Sequence, residues 1–278
     1  MLADLHCHSF YSKGIKIIYE GINSPSEMAE HAKRIGLGAF ALTDHNTING
    51  HREARIAAKK QGILFIPGEE ITTANGHLVA LGINEEIPEK KTLEETIDII
   101  HSQGAVAISA HPFDFRRCGL GKLAKRCDAV EVFNALSLER IGNWKARRFC
   151  EKNKLNIVAG SDAHSIEMMG HGLTSFNSES LDGILKDIKK GNTCIVIDYI
   201  PAKVLMDWGM DRIKLSYASI IEYMNTNYSW PKRAVARNLL GIAEKTPSSV
   251  DYLIKAATYF SIGSIILYSA VREIVGVR

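Results

Sequence analysis

The sequence begins MLADLHCHSFYSKG (residues 1–14), a short apolar strand pattern that carries one acid and two histidines. Successive side chains of a strand point to opposite faces, so Asp4, His6 and His8 are predicted to share one face. A neutral imidazole is the commonest protein ligand for zinc and related metals. One His-x-His pair is weak evidence alone, because two such histidines can be exposed and idle. The stretch therefore raises the question of whether further ligands lie elsewhere in the chain.

Length and composition are those of an ordinary globular protein. The 278 residues are 46% hydrophobic and 23% charged, which suits one large α/β barrel or two modest domains. A net charge of +3 neither demands nor excludes a polyanionic substrate. The five cysteines are scattered, without a C-x-x-C pair, and we expect no signal peptide before the first strand. These features predict a cytoplasmic protein without disulfides.

One uncharged stretch is a candidate for a membrane-spanning segment. AATYFSIGSIILYSAV (Ala256–Val271) has 16 residues, and glycine and serine interrupt it. A helix that spans a bilayer needs roughly 17–25 apolar residues. We therefore expect a buried or interface helix without stable membrane insertion.

Short apolar strands alternate with helical patterns from residue 1 to about residue 198. Ser24-Pro25 followed by Glu27 is typical of a helix start, and Thr92 with Glu95 resembles a capping box. Repeated strand–helix alternation favours a parallel sheet closed into a barrel. The predicted strands are MLADLH, GAFALTDH, ILFIPGEE, HLVALGI, AVAISAHP, DAVEVFN, NIVAGSDAH and TCIVID.

The character of the chain changes after Pro201, where only helical patterns follow. We predict two domains, a metal-binding barrel over residues 1–200 and a helical C-terminal extension over residues 201–278. The extension could serve packing, substrate covering or formation of a homodimer.

Polar residues recur at the predicted strand ends. The C-terminal ends of parallel barrel strands gather at one face, where active sites of such barrels lie. A single strand-end histidine is usually a surface residue, but histidines and acids at six strand ends together predict a metal site. The residues are Asp44, His45, Glu69, Glu70, His77, His111, Glu131, Asn134, Asp162 and His164. Glu70 is expected to face away from Glu69.

The motifs DLHCHS, TDHN, GEE, HP and GSDAH resemble, in order, those of the PHP family, the metal-dependent phosphoesterases named for polymerase and histidinol phosphatase. The resemblance covers residues 1 to 198. It implies an α/β fold, a distorted (β/α)7 TIM-like barrel, with two or three divalent metal ions at its C-terminal mouth. Zinc, manganese and iron all suit mixed imidazole and carboxylate ligands.

The resemblance also implies a ligand set. His6, His8, Glu69 and Asp162 would bind a first metal. Glu69 would bridge to a second metal, completed by the imidazoles of His77 and His111. The third site would use His45 and His164.

The chain departs from the family pattern at Lys13, where an acid or imidazole is usual. A protonated lysine cannot ligate a metal. The third site is then weakened, or Lys13 points away and Tyr11, Ser12 or water fills the gap. We also consider Lys13 as a cation that faces the substrate phosphate.

The implied reaction is attack of a metal-bridging hydroxide on a phosphomonoester. Glu69 and Asp162 would hold the metals, and His45 or His164 would protonate the leaving alcohol. Asp4 is expected to orient an imidazole from outside the ligand set. Arg116 and Arg117 are candidates for binding the phosphate through their guanidinium groups.

Several substrates and two other functional classes remain as alternatives. The substrate could be a nucleotide or sugar phosphate, histidinol phosphate, or a short oligonucleotide cut by an exonuclease or phosphodiesterase. An amidohydrolase-like C–N hydrolase would normally need a bridging lysine at a middle strand end, where this chain has Glu69. A non-catalytic metal-binding module is the remaining alternative.

Overall fold

The computed structural model describes residues 1–14, 17–116, 118–137 and 140–245. The strands are β1 (Leu2–Asp4), β2 (Ala39–Leu42), β3 (Leu64–Thr72), β4 (His77–Leu81), β5 (Val106–Ser109), β6 (Ala129–Asn134), β7 (Ile157–Gly160), β8 (Gly172–Ser175) and β9 (Cys194–Ile197). The α-helices are α1 (Pro25–Arg34), α2 (His51–Gln61), α3 (Leu93–Ser102), α4 (Ile141–Asn153), α5 (Leu181–Lys190), α6 (Ala202–Leu215), α7 (Tyr217–Asn227) and α8 (Trp230–Lys245).

One nine-stranded sheet curls into a nearly closed barrel, in the order β7-β6-β5-β4-β3-β2-β1-β8-β9. The two ends of the sheet approach each other where Thr174 of β8 exchanges two hydrogen bonds with the backbone of Ala159 in β7. The predicted α/β barrel class is thus confirmed.

The sheet is mixed rather than parallel. Strand β4 runs antiparallel to both β3 and β5, and β8 runs antiparallel to β1 and β9. The sequence analysis missed β8, because GLTS is a short segment that starts with glycine and has little apolar pattern. The reversal of β4 matters for function, since its first residue, His77, therefore lies at the same barrel end as the C-terminal ends of β3 and β5.

One cluster of apolar side chains fills the barrel, and others pack between the sheet and the helices. Ala41 and Ile66 belong to the inner cluster, whereas Phe40 and Phe65 belong to the outer one. This alternation is the strand periodicity that assigns neighbouring residues to opposite faces. The predicted helix starts are confirmed, because Ser24 and Thr92 both form complete capping boxes.

The region after residue 201 is helical as far as it is described. Helix α6 packs on the barrel, where Val204, Leu205 and Trp208 contact the outer apolar cluster. The proposed division at residue 200 stays a prediction. The stretch Ala256–Val271 lies outside the described residues. Within the described part of the chain, no helix combines the length and apolarity needed to cross a membrane.

Candidate metal centre

The carboxylate of Glu70, at the end of β3, lies at the centre of the barrel mouth. Its Oε2 atom is 3.3 Å from Nε2 of both His6 and His8, and 3.0 Å from Nδ1 of His45. These three histidines follow β1 and β2 and reach the mouth from neighbouring strand ends. Three imidazoles from two segments therefore converge on one oxygen.

The second oxygen of Glu70 faces a different pair of histidines. Its Oε1 atom lies 2.9 Å from Nδ1 of His77 and 3.1 Å from Nε2 of His111. His77 opens the reversed strand β4, and His111 follows β5. Glu70 thus has the bridging position between two groups of imidazoles.

Asp162 and His164, which follow β7, complete the arrangement. Oδ1 of Asp162 lies 3.2 Å from Nε2 of His8 and 3.6 Å from Nε2 of His6. The ring of His164 stacks on that of His8, with centroids 4.4 Å apart. We call the mouth cluster the set His6, His8, His45, Glu70, His77, His111, Asp162 and His164.

Hydrogen bonds from outside the cluster orient His6 and His8. Nδ1 of His6 donates to Oε1 of Glu131 at 3.0 Å, which turns Nε2 toward Glu70. Nδ1 of His8 donates to Oγ of Ser12 at 3.0 Å, and that hydroxyl donates to Asp44. Such outer partners fix the tautomer and orientation of metal-ligating histidines.

The donor set fits divalent metal ions. Within the described residues, buried atoms without a hydrogen-bond partner include Nε2 of His6, Nε2 of His8 and Oε2 of Glu70. Buried polar atoms normally have partners, so this convergence of unpartnered ligand atoms suits a cation. Three overlapping groups have ligand atoms within 4.8 Å of one another: His6, His8, Glu70 and Asp162; His45, Glu70 and His77; and His8, His45 and His164.

The electrostatics also suit a cation. Burial alone would raise the pKa values of Glu70 and Asp162, but the surrounding imidazoles hold both well below their ordinary values. Burial alone would lower the pKa of His8, but Asp162 and Glu70 raise it to about 9. Without metal, a proton on His8 offsets part of this carboxylate charge, and metal binding must displace it.

His164 differs from the other histidines of the cluster. Burial and the neighbouring His8 lower its pKa to about 3. Its Nδ1 donates to the carbonyl oxygen of Asp162 at 2.8 Å. Its Nε2 therefore carries a lone pair and no proton, which suits a ligand and argues against protonation of a leaving group by this ring.

Glu69 is not part of the cluster, so the sequence interpretation chose the wrong glutamate of the pair. Strand periodicity sends Ile66 and Glu70 into the barrel and Glu69 outward. There its Oε2 accepts a hydrogen bond from the backbone N–H of Ile87 at 3.0 Å. Burial raises the pKa of this carboxyl to about 7.

Asp4 does not orient an imidazole, contrary to expectation. Its carboxylate accepts hydrogen bonds from the backbone N–H groups of Ser161 and Gly170, at 3.1 and 2.9 Å. Strand β1 ends at Asp4, so strand alternation no longer relates this residue to His6. Glu131 has the orienting position instead.

Lys13 points away from the cluster. Its Nζ lies 3.6 Å from the centre of the Tyr19 ring, a cation–π contact at the edge of the mouth. Glu20, which the sequence analysis missed, occupies the place of the missing acid, with Oε2 3.2 Å from Nε2 of His45. The hydrogen bond with His45 lowers the pKa of Glu20 to about 2, so it is ionised.

Helix α6 holds the loop that carries Glu20. The indole N–H of Trp208 donates to the carbonyl oxygen of Glu20 at 2.9 Å, and Tyr19 N–H donates to Oγ of Ser216 at 3.1 Å. Nη2 of Arg212 lies 4.0 Å from Oε1 of Glu20. The ring of Trp208 also contacts that of His164, with centroids 5.2 Å apart.

A cavity of about 140 Å³ opens beside the cluster, and we call it the side cavity. Arg116 lines it, with its side chain 52% exposed and Nε 3.4 Å from Oδ2 of Asp114. Arg117 lies outside the described residues. The lining is completed by His111, Phe115, Asn134, Leu136, Ser137 and Trp208.

Two cluster residues have a left-handed backbone. The φ angles of His111 and Asp162 are 25° and 54°. Non-glycine residues rarely adopt this conformation, and such strain concentrates at functional sites. Here the backbone turns sharply at the strand end, which directs both side chains to the cluster.

Two family profiles match the chain, the PHP domain over residues 4–118 and the PHP-associated domain over residues 140–193. An uncharacterized protein of Methanocaldococcus jannaschii is 38% identical over 149 residues, which cover 51% of this chain and 87% of that protein. A barrel with this mouth belongs to the metal-dependent phosphoesterases. The chain is a member of the PHP family.

Relatives with named activities match over shorter segments. The 5'-3' exoribonuclease of Haemophilus influenzae is 38% identical over 109 residues, 38% of this chain and 37% of that enzyme. The 3',5'-nucleoside bisphosphate phosphatase of Chromobacterium violaceum is 36% identical over 89 residues, 31% of this chain and 29% of that enzyme.

A solved structure supports the fold. A two-domain protein of Bacteroides vulgatus, described as containing a predicted PHP-like metal-dependent phosphoesterase, superposes with a TM-score of 0.57. It is 22% identical, and the match covers 71% of this chain and 65% of that protein.

Proposed function

We propose that this chain hydrolyses a phosphomonoester of a nucleotide or another small organic alcohol, with two or three divalent metal ions held by the mouth cluster. The observation that carries the proposal is the bridging position of Glu70, with an imidazole group on each carboxylate oxygen. Paired sites of this kind are suited to phosphoryl transfer.

The ligands divide into three overlapping groups. His6, His8, Glu70 and Asp162 would hold one ion, and His45, Glu70 and His77 a second. His8, His45 and His164 would hold the third, and Glu20 lies beside His45 in place of the usual acid. Divalent ions supply Lewis-acid charge to phosphoryl oxygens and make water acidic enough to react near neutral pH.

The residues around the cluster would bind and orient the ester. Arg116 would bind the phosphate, because Asp114 holds its Nε and the side cavity places it beside His111. Phe115, Leu136 and Trp208 give that cavity apolar walls that suit the organic part of the substrate.

His45 is the better of the two proposed proton donors. Its Nδ1 and Nε2 lie 3.0 and 3.2 Å from carboxylate oxygens of Glu70 and Glu20. Each ring nitrogen of His45 thus has a carboxylate oxygen within hydrogen-bond distance. His164 lacks such a proton at Nε2, for the reason given above.

A phosphodiester is the second candidate substrate, because one relative is named a 5'-3' exoribonuclease. In that case the side cavity would take the terminal nucleotide of a short oligonucleotide. A C–N hydrolase is disfavoured, since Glu70 stands where such enzymes would normally have a bridging lysine.

The test is hydrolysis by protein reconstituted with zinc, manganese or iron. The panel holds a generic phosphomonoester, nucleoside monophosphates, histidinol phosphate, a phosphodiester and a short RNA. Asp162→Asn should lower kcat/KM at least ~100-fold, because it removes a charged ligand of the first group. Metal-dependent binding without cleavage of any phosphoester would contradict the proposal.

A further inference from the structure

A second opening borders the mouth cluster and has a lining separate from that of the side cavity. It is a cleft of about 750 Å³, which we call the rim cleft, and His45 and His77 form part of its lining. Three cationic side chains also line it: Lys13, Lys90 and Arg212. They come from the loop after β1, the loop after β4 and helix α6.

Two of these cations already have partners. Lys90 forms an ion pair with Glu89, and Lys13 lies over the ring of Tyr19. Both are exposed, so solvent screens their charges.

Arg212 is different, because its side chain is only 19% exposed. Within the described residues, its buried Nε has no hydrogen-bond partner. The nearest carboxylate oxygen, from Glu20, is 4.0 Å away, beyond hydrogen-bond distance, and the other oxygen of Glu20 faces His45. A buried donor without a partner is costly, which points to a ligand that supplies the missing acceptor.

The guanidinium group is also held in one orientation. It stacks on the ring of Trp208, 4.7 Å from the ring centre, and that indole is fixed by its hydrogen bond to Glu20. A planar, pre-oriented guanidinium group binds two oxygens of a phosphate at once.

We propose that Arg212 binds a second phosphate group of the substrate in the rim cleft, while the reacting phosphate lies at the mouth cluster. This rests on the proposed function, and it narrows the substrate class to phosphoesters that carry a second phosphate. Arg212 would then determine specificity from a helix of the C-terminal region.

The first test is binding without turnover. Metal-free protein is titrated with a nucleoside 3',5'-bisphosphate and with the matching 5'-monophosphate by calorimetry. The wild type should bind the bisphosphate more tightly, and Arg212→Met should weaken that binding by ~10–100-fold, as expected for a charged hydrogen bond. Arg212→Lys should fall between them, because lysine keeps the charge without the planar group. The control, Arg237→Met, alters an exposed arginine that binds Asn225 and should change nothing.

The binding measurement does not depend on hydrolysis. It therefore tests the role of Arg212 separately from the proposed hydrolytic function. Equal affinity of wild type and Arg212→Met for the bisphosphate, or no binding by the wild type, would overturn the role of Arg212. A catalytically silent protein that shows the expected binding would contradict only the proposed hydrolysis.

The second test separates recognition from support of Glu20. With metal bound, Arg212→Met should raise KM for the bisphosphate ~10–100-fold and leave KM for p-nitrophenyl phosphate unchanged. An equal loss with both substrates, together with lower metal content, would assign Arg212 a structural role and refute the proposal.

Discussion

The mouth cluster and helix α6 border the same opening, but the charged groups of the cluster are closely paired and Arg212 of α6 is not. In the mouth cluster, each carboxylate has imidazole nitrogens within 3.6 Å, and all members except His45 and His77 are buried. Within the described part of the chain, Arg212 on α6 has its nearest carboxylate oxygen at 4.0 Å and a buried Nε without a hydrogen-bond partner. The first region suits metal ions, and we propose that the second meets a ligand that arrives from solvent.

The difference also separates the proposed metal ligands from the proposed substrate-binding residue along the chain. Every ligand of the mouth cluster comes from the first 164 residues, whereas Trp208 and Arg212 come from the helices that follow the barrel. Variants in each region should therefore have distinct effects on metal content and on substrate affinity.

The largest effect is expected from the two adjacent glutamates of β3. Glu70→Gln should lower metal affinity by more than ~100-fold, because it removes the charge shared by two ligand groups. Glu69→Gln is the matched control and should keep the full metal content. Equilibrium dialysis followed by atomic absorption measures both. The opposite order of the two variants would mean that Glu69 is the bridging residue after all.

A smaller effect is expected where the two regions touch. Trp208→Ala removes the hydrogen bond that holds the carbonyl of Glu20, so the loop should loosen and metal affinity should fall ~10-fold. Trp230→Ala, at a residue that is 78% exposed, is the control. Metal titration of both variants tests this, and unchanged affinity in Trp208→Ala would show that the barrel positions Glu20 without α6.

The smallest effect concerns stability. The pKa of Glu69 is about 7 in the folded protein and 4.5 ordinarily, so the folded state binds its proton more tightly. Its contribution to the free energy of unfolding is fully present below about pH 4.5 and is lost as the pH rises through 7. At about 1.4 kcal/mol per pKa unit, the loss is ~3 kcal/mol.

Glu69→Gln should remove this dependence. Urea unfolding of metal-free protein at pH 5 and pH 8 should therefore show the variant gaining stability relative to the wild type as pH rises. A difference between the two proteins that is the same at both pH values would count against a neutral, buried Glu69.

Much of the fold and of the metal centre could be predicted from the sequence. The helix caps at Ser24 and Thr92 depend on local chemistry, and the strand-end histidines depend on a topology that gathers strand ends. Packing of Ile66 inside the barrel decides which face of β3 points inward, and Glu70 lies on that face. No local sequence pattern reveals this orientation, so the prediction from the sequence was Glu69 instead of Glu70.

The contacts by which α6 holds the Glu20 loop could not be predicted from the sequence, for another reason. Glu20, Trp208 and Ser216 meet only in the folded chain, and nothing in their local sequence relates them. The only signal for Glu20 in the sequence was its position as an acid in the long loop after the His-x-His pair. Lys13 was considered at the family's ligand position, and residues further along this loop were not considered.

The hydrogen bonds between this loop and α6 join residues 188 and 197 positions apart. Contacts across such separations form late, because the intervening chain must first be ordered. During synthesis, residues 19 and 20 leave the ribosome long before their partners. We therefore expect the barrel to take shape with its first loop unanchored, and the enzyme to mature only when α6 docks.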